Sequence, residues 1–493
     1  MIGELGHVDT MTSSVGVGTG LRRQSTFGAA SAAPSSALRD HSIREPAGAF
    51  LPSRREDVSM GSPCIAVIGA GFGGIAAVIA LKQAGYHNIV VFEKGDEVGG
   101  VWRANTYRGA ACDVPSPFYS YSFAPNPGWP HRFARQPAIM AYLKEIADRY
   151  DVHRQIQFGT EVSAATFDEV TGRWTVTVEA GHAIEVDMLV SAVGQLSRPS
   201  VPPITALEAF EGVSFHSAEW DHSVDLNGRR VAVIGTGASA IQFVPEIQPQ
   251  VDHLDVFQRS APYLVPRPDR RYNAVQHKLF ERLPATLLAE RGLWYGVVEG
   301  LSVAWVYSKP LKAVVRRVAY GHMRRQTAAR PELFEKVWPD YPIGCKRILF
   351  SSDYLPALTQ ANVDLVTKKI TKITRHGIAT ADGVEHPAEV IIWGTGFRGT
   401  EFLAPMKVTG TGGRDLHEQW SDGARAYYSM TVPHFPSLLI MYGPNTNTGS
   451  GSIIPGTISA PLRRPPGRQR RSDHPPAGGR GELRPTHPGR ARR

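Results

Sequence analysis

The stretch CIAVIGAGFGGIAAVIALKQA, residues 64–84, decides the fold of this chain. It begins with a short apolar run that ends in glycine, which is typical of a buried parallel strand. The turn GAGFGG follows over residues 69–74 and leads into an alanine- and isoleucine-rich helix that ends near Ala84. A second apolar strand over residues 88–92 ends at Glu93. The segment therefore predicts a βαβ unit.

The same arrangement occurs a second time further along the chain. A strand over residues 231–234 leads into the turn GTGASA over residues 235–240, and a helix to about Ile247 is followed by a strand over residues 254–257. Strand, glycine-rich turn, helix and strand are the parts of a dinucleotide-binding fold. We therefore predict an α/β protein with two Rossmann-like dinucleotide-binding domains.

The intervening segments predict how the two units are connected. Residues 161–193 alternate like a β-meander, and apolar positions three and four apart predict a helical elaboration over residues 274–327. Its most hydrophobic part, residues 293–307, is broken by Glu299 and is too short to span a bilayer, so we interpret it as a buried helix. A strand over residues 390–393 is predicted to return the chain to the first domain, so that the second domain is inserted in the first.

The charge of the chain is concentrated at one end. The formal net charge is +9, but residues 459–493 hold ten arginines and two acidic residues, so this tail carries +8 and the remainder about +1. Its arginines have no aromatic residues between them, and a nucleic-acid partner is therefore not expected. Arg, Pro and Gly share GC-rich codons, so we interpret the tail as either disordered or the product of a reading-frame shift.

The cysteines predict neither a disulfide nor a metal site. Cys64, Cys112 and Cys345 are far apart and form none of the short spacings that bind zinc or form a redox pair. Unpaired thiols fit a reducing compartment, so we predict a cytoplasmic protein.

The first glycine-rich turn predicts a nucleotide site. Gly69, Gly71 and Gly74 let the backbone approach a pyrophosphate, whose charge is met by the N–H groups and the dipole at the start of the helix. Glu93, at the end of the next strand, is placed to accept a hydrogen bond from a ribose hydroxyl. Two such units predict two nucleotides.

The second turn differs from the first in two ways. Its third glycine is replaced by Ala240, which is still small enough for close helix packing. Where an NAD-binding fold has an acid at the strand end, this chain has an arginine and a serine, which suit the 2′-phosphate of NADPH. The residues predicted to contact this second nucleotide are Gly235, Gly237, Ser239, Arg259 and Ser260.

The segment before the second unit carries a resemblance to a known family. FEGVSFHSAEWD, residues 210–221, is similar to the type I Baeyer-Villiger monooxygenase fingerprint FxGxxxHxxxW(P/D) at every fixed position. The chain resembles this family of class B flavoprotein monooxygenases from about Ile65 to Ile454. The fixed positions are Phe210, Gly212, His216, Trp220 and Asp221.

Three further segments extend the resemblance. GGVWRANTYRGAACD, residues 99–113, is similar to a second fingerprint of the family, although Arg108 stands where that pattern has proline. GTGF, residues 394–397, is similar to an ATGF-type segment, and YPIGCKR, residues 341–347, resembles the stretch that bears the active-site arginine. In the second fingerprint the resemblance implies that the cofactor-binding residues are Gly100, Trp102 and Asp113.

The resemblance implies an enzyme that binds FAD and NADPH. It would insert one oxygen atom of O2 next to a ketone carbonyl through a flavin C4a-peroxide, and release an ester or lactone. Arg347 is the expected catalytic cation and Asp113 the carboxylate that orients it. The expected partners are a small-molecule ketone or sulfide and O2.

Several alternatives stay open at this stage. A related flavin-containing N- or S-oxygenase shares both nucleotide folds and a histidine linker, but generally lacks the Trp-Asp ending. A truncated, inactive member would result if the strand-turn-helix that normally follows residues 443–452 were lost. His216 either couples domain movement to cofactor handling or is a structural histidine packed against Trp220. Lys346 either helps Arg259 bind the 2′-phosphate or is a solvent-exposed lysine.

These interpretations give one set of predicted boundaries. They are a disordered leader or mis-assigned start over 1–60, the first part of the FAD-binding domain over 61–205, a fingerprint linker over 206–225, the NADPH-binding domain with its helical insertion over 226–385, the return of the FAD-binding domain over 386–458, and the basic tail over 459–493.

Overall fold

The structure is a computed structural model that describes residues 62–446 and Ile454. The predicted leader over residues 1–60 and the basic tail over residues 459–493 lie outside the described residues. The hypotheses of a reading-frame shift and of a lost C-terminal element fall there as well.

The described chain contains both strands and helices. The strands are β1 Ile65–Ile68, β2 Ile89–Phe92, β3 Ile156–Gln157, β4 Val162–Asp168, β5 Arg173–Val178, β6 Ala183–Val186, β7 Met188–Ser191, β8 Val213–His216, β9 Arg230–Ile234, β10 His253–Phe257, β11 Leu264–Val265, β12 Leu349–Phe350, β13 Val363–Val366, β14 Ile370–Thr374, β15 Gly377–Thr380, β16 Glu385–Pro387, β17 Val390–Trp393, β18 Lys407–Thr409 and β19 Leu438–Ile440. The helices are α1 Phe72–Gln83, α2 Val101–Ala104, α3 Gln136–Arg149, α4 Ala240–Ile247, α5 Ala274–Arg282, α6 Pro284–Tyr307, α7 Lys309–Gln326, α8 Leu333–Val337, α9 Tyr354–Leu358 and α10 Leu416–Gln419.

The first parallel sheet has the strand order β19-β7-β1-β2-β3. Its central strand β1 is buried along its whole length, as its uninterrupted apolar sequence requires. One core joins residues of β1, α1 and α3, among them Val67, Ile75 and Leu143. The first predicted βαβ unit, with its helix ending one residue before Ala84, is therefore present.

The second parallel sheet has the order β13-β10-β9-β17-β8 and corrects two predictions. Strand β17, predicted to return the chain to the first domain, instead pairs with β9 in the second sheet. The predicted linker over residues 206–225 contains β8, which forms the edge of this same sheet beside β17. The chain returns to the first domain later, where β18 pairs with β4 and β19 pairs with β7.

The smaller elements lie around these two sheets. The predicted β-meander is present as β4, β5 and β6, joined by β18 in a four-stranded sheet. A three-stranded antiparallel sheet of β14, β15 and β16 follows β13.

The predicted helical elaboration is present as α5, α6 and α7, but one part of its interpretation is wrong. Leu293 is 64% exposed, Tyr295 52% and Val297 42%, so this part of α6 is not a buried helix. Apolar content alone does not distinguish a buried helix from one that presents apolar side chains at a surface. Of the described helices, none is long and apolar enough to cross a membrane.

Candidate active site

The first glycine-rich turn brings backbone atoms too close for side chains. Gly69 has φ +100°, and a Cβ there would lie 2.7 Å from the carbonyl oxygen of Ala192. A Cβ on Gly74 would lie 1.8 Å from the carbonyl oxygen of Gly69, so helix α1 can start directly against the end of β1 only with glycine. Gly71 is the N-cap of α1 and provides no side-chain cap, which leaves the first N–H groups of the helix available to an anion.

Glu93 closes this turn from the end of β2. Its carboxylate accepts hydrogen bonds from the backbone N–H of Ala70, at 2.7 Å, and of Gly95, at 2.8 Å, and the residue is 5% exposed. A carboxylate has about four acceptor sites, so these bonds are compatible with the predicted acceptance from a ribose hydroxyl.

The second fingerprint packs directly on this turn. Gly100 has φ +53°, and a Cβ there would lie 3.0 Å from the Cα of Gly71. Trp102, on α2, is half-buried and donates from Nε1 to the hydroxyl of Tyr119 at 2.9 Å. The structure therefore brings Gly100 to the first nucleotide turn and holds Trp102 two residues further along.

The second glycine-rich turn repeats the close approach with one change. Gly235 has φ +115°, and a Cβ there would lie 2.3 Å from the carbonyl oxygen of Gly394. Gly237 faces open space, and Ser239 is the N-cap of α4 without a side-chain cap bond. Ala240 is fully buried, so its methyl group fits where the first turn requires glycine.

A cationic group lies at the carboxyl end of β10. Lys346 donates from Nζ to the Oγ of Ser260 at 2.9 Å, and the same Nζ lies 4.5 Å from the ring centroid of Tyr341. Arg259, next to Ser260, is exposed. The three residues predicted to recognise a 2′-phosphate are thus neighbours, although Lys346 is separated from the other two by more than 80 positions in sequence.

Arg347 and Asp113 form an ion pair. Nη2 of Arg347 lies 2.8 Å from Oδ2 of Asp113, and their side chains are 46% and 26% exposed. Arg347 comes from the loop between α8 and β12, whereas Asp113 ends the second fingerprint. The pair therefore connects the segment that packs on the first turn with the segment that carries Lys346.

Both turns fit a dinucleotide on these observations. Each has at least one glycine where a side chain would collide with backbone, an uncapped helix start and polar side chains at the end of the following strand.

Comparisons with known proteins agree with this geometry. Residues 63–334, more than half of the chain, match the model of the family described as flavin-binding monooxygenase-like. A Baeyer-Villiger monooxygenase of Pseudomonas aeruginosa is 43% identical over 390 residues, which cover 79% of this chain and 74% of that protein. This chain is a member of the flavin-binding monooxygenase-like family.

Solved structures that this chain resembles confirm the predicted fold class. An oxidised steroid monooxygenase bound to NADP has a TM-score of 0.73 and 32% identity, and the match covers 80% of this chain and 83% of that one. OTEMO in complex with FAD and NADP has a TM-score of 0.72 and 28% identity, with coverage of 80% and 83%. The resemblance to Baeyer-Villiger monooxygenases that the fingerprints indicated is therefore confirmed.

In this flavin-binding monooxygenase-like chain the long fingerprint has a packing function. The ring of His216 is 3% exposed and lies edge-on to Phe397 of the GTGF segment, with ring centroids 5.8 Å apart. Its predicted alternative partner, Trp220, instead contacts Phe215 and Phe243, both at 5.3 Å. The aromatic ring that contacts His216 is therefore that of Phe397 and not, as predicted, that of Trp220.

The remaining fingerprint positions also have structural roles. A Cβ on Gly212 would lie 2.3 Å from the carbonyl oxygen of Glu389, at the start of β17, and the aromatic ring of Phe210 packs beside it. Asp221 is exposed and accepts from the N–H and hydroxyl of Ser223, and these bonds hold the pKa of its carboxyl below the usual value. The contacts of these three positions are thus with β17 and with neighbouring residues of the chain.

Arg108, the one departure from the second fingerprint, makes a contact of its own. Its guanidinium hydrogen-bonds the side chain of Gln250, just beyond α4. Gly109 has φ +78°, and a Cβ there would lie 2.8 Å from the carbonyl oxygen of Gln242. The contacts of Arg108 and Gly109 with α4 and the residues just after it therefore hold this turn in place without a proline.

The structure adds residues that sequence reasoning missed. Arg267 donates to the carbonyl oxygen of Cys112 at 3.3 Å, beside Asp113. Tyr442 follows β19, where burial raises the pKa of its phenol and the charge of Arg347 acts in the opposite direction. No local motif marks either residue, because both reach the pair from distant parts of the chain.

Proposed function

We propose that this member of the flavin-binding monooxygenase-like family uses FAD and NADPH to insert one oxygen atom of O2 next to the carbonyl of a small-molecule ketone. The product would be an ester or lactone. The observation that carries the proposal is the Arg347–Asp113 ion pair, because Asp113 ends the same fingerprint segment whose Gly100 packs on the turn that fits the flavin nucleotide.

FAD is assigned to the first turn and NADPH to the second. The residues that would hold FAD are the turn glycines, Glu93 and the second-fingerprint residues Gly100 and Trp102. When bound, the flavin accepts a hydride from NADPH and reacts with O2. The similar OTEMO structure holds both FAD and NADP, which supports the assignment of two different nucleotides.

Lys346, Arg259 and Ser260 support NADPH over NADH. A 2′-phosphate brings negative charge and acceptor oxygens to the strand end. Two cations and a hydroxyl lie there, where an NAD-binding fold has a carboxylate that would repel the phosphate.

Arg347 supplies a fixed positive charge to the site. A guanidinium stays protonated at any physiological pH, so it stabilises negative charge on oxygen during the reaction without itself giving up a proton. Asp113 forms an ion pair with the guanidinium and restricts its position. Because the pair is partly exposed, we expect it to position the guanidinium and to contribute little to the stability of the fold.

The test supplies purified protein with NADPH, O2 and a panel of linear, cyclic and aryl ketones, with organic sulfides in parallel. Product analysis by mass spectrometry should find an ester or lactone whose mass exceeds that of the ketone by one oxygen atom. Oxidation of sulfides without ester or lactone from any ketone would contradict the proposal and favour heteroatom oxygenation.

A further inference from the structure

A second cluster of ionisable side chains lies in the amino-terminal half of β10, away from the nucleotide residues that follow this strand. His253 and Asp255 are two positions apart on β10, so their side chains share one face of the sheet. Asp364 of β13 is the register partner of Asp255 on the neighbouring parallel strand. Arg259 and Ser260 follow the other, carboxyl end of β10. The cluster is therefore separate from the site described above.

The two aspartates would be stabilised by a positive charge between them. Asp255 is 3% exposed, and a buried carboxylate is stable only when it is paired or bound to a metal. Its neighbour in register is a second carboxylate, and two like charges in such a position repel each other. The ligand atoms of His253, Asp255 and Asp364 all lie within 4.8 Å of one another.

The distances in this cluster suit a metal ion better than direct hydrogen bonds. Nε2 of His253 is 3.6 Å from Oδ1 of Asp255 and 3.5 Å from Oδ2 of Asp364. Charge-assisted hydrogen bonds between such groups are about 2.7–2.9 Å long. A tetrahedral ion with ligands at about 2.1 Å separates neighbouring ligand atoms by about 3.4 Å.

We propose that Nε2 of His253 and the carboxylates of Asp255 and Asp364 bind a divalent transition-metal ion of the zinc type. One imidazole and two carboxylates are ligands that such ions accept, and water would complete the coordination. The side chain of Asp364 is 61% exposed, which gives the ion a path from solvent.

His386 supports this site from a third element. Nδ1 of His386, on β16, lies 3.4 Å from Oδ1 of Asp255, and its ring packs on Phe257 at 5.3 Å between centroids. A partner that holds a ligating carboxylate in place is typical of metal sites in proteins. A bound ion would thus join β10 to β13 and, through His386, to the three-stranded sheet. Sequence spacing gives no sign of this site, because strand register alone brings positions 255 and 364 together.

The experiment uses the full chain, without an affinity tag and after dialysis against a chelator. Co2+ replaces zinc as a spectroscopic probe, and its visible absorption reports a site with fewer than six ligands. Zn2+ is then tested by its effect on the thermal midpoint. The variants are Asp364→Asn and His253→Gln, and the matched control is Asp252→Asn, which removes an exposed carboxylate next to His253 that lies outside the cluster.

The unmodified chain and Asp252→Asn should bind one Co2+ with visible absorption, and Zn2+ should raise their midpoints by roughly 2–4 °C or more. Asp364→Asn and His253→Gln should lose both responses. Absence of 1:1 binding by the unmodified chain would overturn the proposal and leave His253 as a salt-bridged histidine only. Equal binding by Asp364→Asn would overturn it as well, by placing the ion elsewhere on the chain. If a variant proves unstable, its Co2+ spectrum at low temperature still decides the outcome.

Discussion

At the scale of single residues, the Arg347–Asp113 pair joins positions 234 apart in the sequence at a distance of 2.8 Å. Arg347 would remain charged without its partner, so Asp113 determines where the charge lies rather than whether it exists. Loss of Asp113 should therefore lower the yield of ester per NADPH oxidised more than it lowers the oxidation of NADPH itself.

Asp113→Asn tests this positioning role. Asparagine keeps the shape of the side chain but removes the ion pair, so we expect a yield of ester per NADPH oxidised that is lower by roughly tenfold or more. Flavin reduction by NADPH should persist. The control is Asp96→Asn, which alters an exposed ion pair with Arg103. An unchanged yield in Asp113→Asn would show that Arg347 needs no carboxylate.

Lys346 and Arg259 are the two cations expected to bind the 2′-phosphate of NADPH. Lys346→Met and Arg259→Ala should each raise the KM for NADPH by about tenfold or more, because a charge-assisted contact contributes about 1.5–3 kcal/mol. The KM for NADH should change little, since NADH has no 2′-phosphate. Lys369→Met, at an exposed position in a different loop, is the control. Parallel increases for both nucleotides would argue against recognition of the phosphate.

At the scale of elements, the packing of α1 and α4 explains why the first glycine-rich turn needs a third glycine and the second does not. Helix α1 starts so close to β1 that a Cβ on Gly74 would overlap the carbonyl oxygen of Gly69. Helix α4 is set against Gly394, which has no side chain, and a Cβ at Gly394 would lie only 3.3 Å from that of Ala240. The missing glycine of the second turn is thus compensated by a glycine on another strand end.

Gly74→Ala should therefore disrupt the first turn. We expect loss of bound flavin and a thermal midpoint lower by on the order of 5 °C or more, because the methyl group can fit only if α1 moves away from β1. The matched control is Gly321→Ala within α7, where the backbone has no positive φ and a Cβ would meet no atom within 4 Å. A flavin content in Gly74→Ala equal to that of the control would contradict the proposed close packing.

His216 makes the joint between β8 and the GTGF segment sensitive to pH. Burial lowers the pKa of its imidazole, and its Nδ1 accepts from the N–H of Ala218 at 3.1 Å. Protonation at Nδ1 would break that bond. The buried His322 has a pKa lowered by burial as well, so it acts in the same direction.

The free energy of unfolding should therefore decrease at acid pH. Above about pH 6.5 an unfolded histidine is neutral, like the folded one, but below it the unfolded chain binds more protons than the folded chain. Stability falls as the pH drops from about 6.5 towards the folded pKa, with a slope of at most about 1.4 kcal/mol per pH unit for each histidine. His216→Gln should have a shallower dependence in denaturant titrations than the exposed control His182→Gln. Identical slopes would show that His216 makes no contribution.

At the scale of the whole molecule, one helix joins the two nucleotide units. Gln242 on α4 hydrogen-bonds both the N–H and the carbonyl oxygen of Ala111 and accepts from the hydroxyl of Tyr107. The ring of Tyr107 also packs on Phe243. The second fingerprint is thus attached to the second turn at one end and to the first turn at the other, and Asp113 lies two residues beyond Ala111.

The sequence predicted the local chemistry better than the topology. Both turns, Glu93 and the pairing of Arg347 with Asp113 could be predicted, because glycine spacing and family fingerprints mark them. The position of β17 could not, since an apolar strand such as VIIW fits the interior of either parallel sheet. Strand β8 was hidden in the fingerprint because half of its four residues, VSFH, are polar and it forms the edge of the sheet. The cluster around Asp255 could not be predicted either. It depends on the pairing register of β10 with β13, which neither segment reveals alone.

The most direct test of the account compares Arg347→Ala with Arg317→Ala, an exposed arginine on α7. Ester or lactone and hydrogen peroxide are measured per NADPH oxidised, with a ketone that the unmodified enzyme converts. We predict that Arg347→Ala oxidises NADPH, forms little or no ester and releases hydrogen peroxide, whereas Arg317→Ala behaves like the unmodified enzyme. An undiminished yield of ester per NADPH in Arg347→Ala would contradict the account.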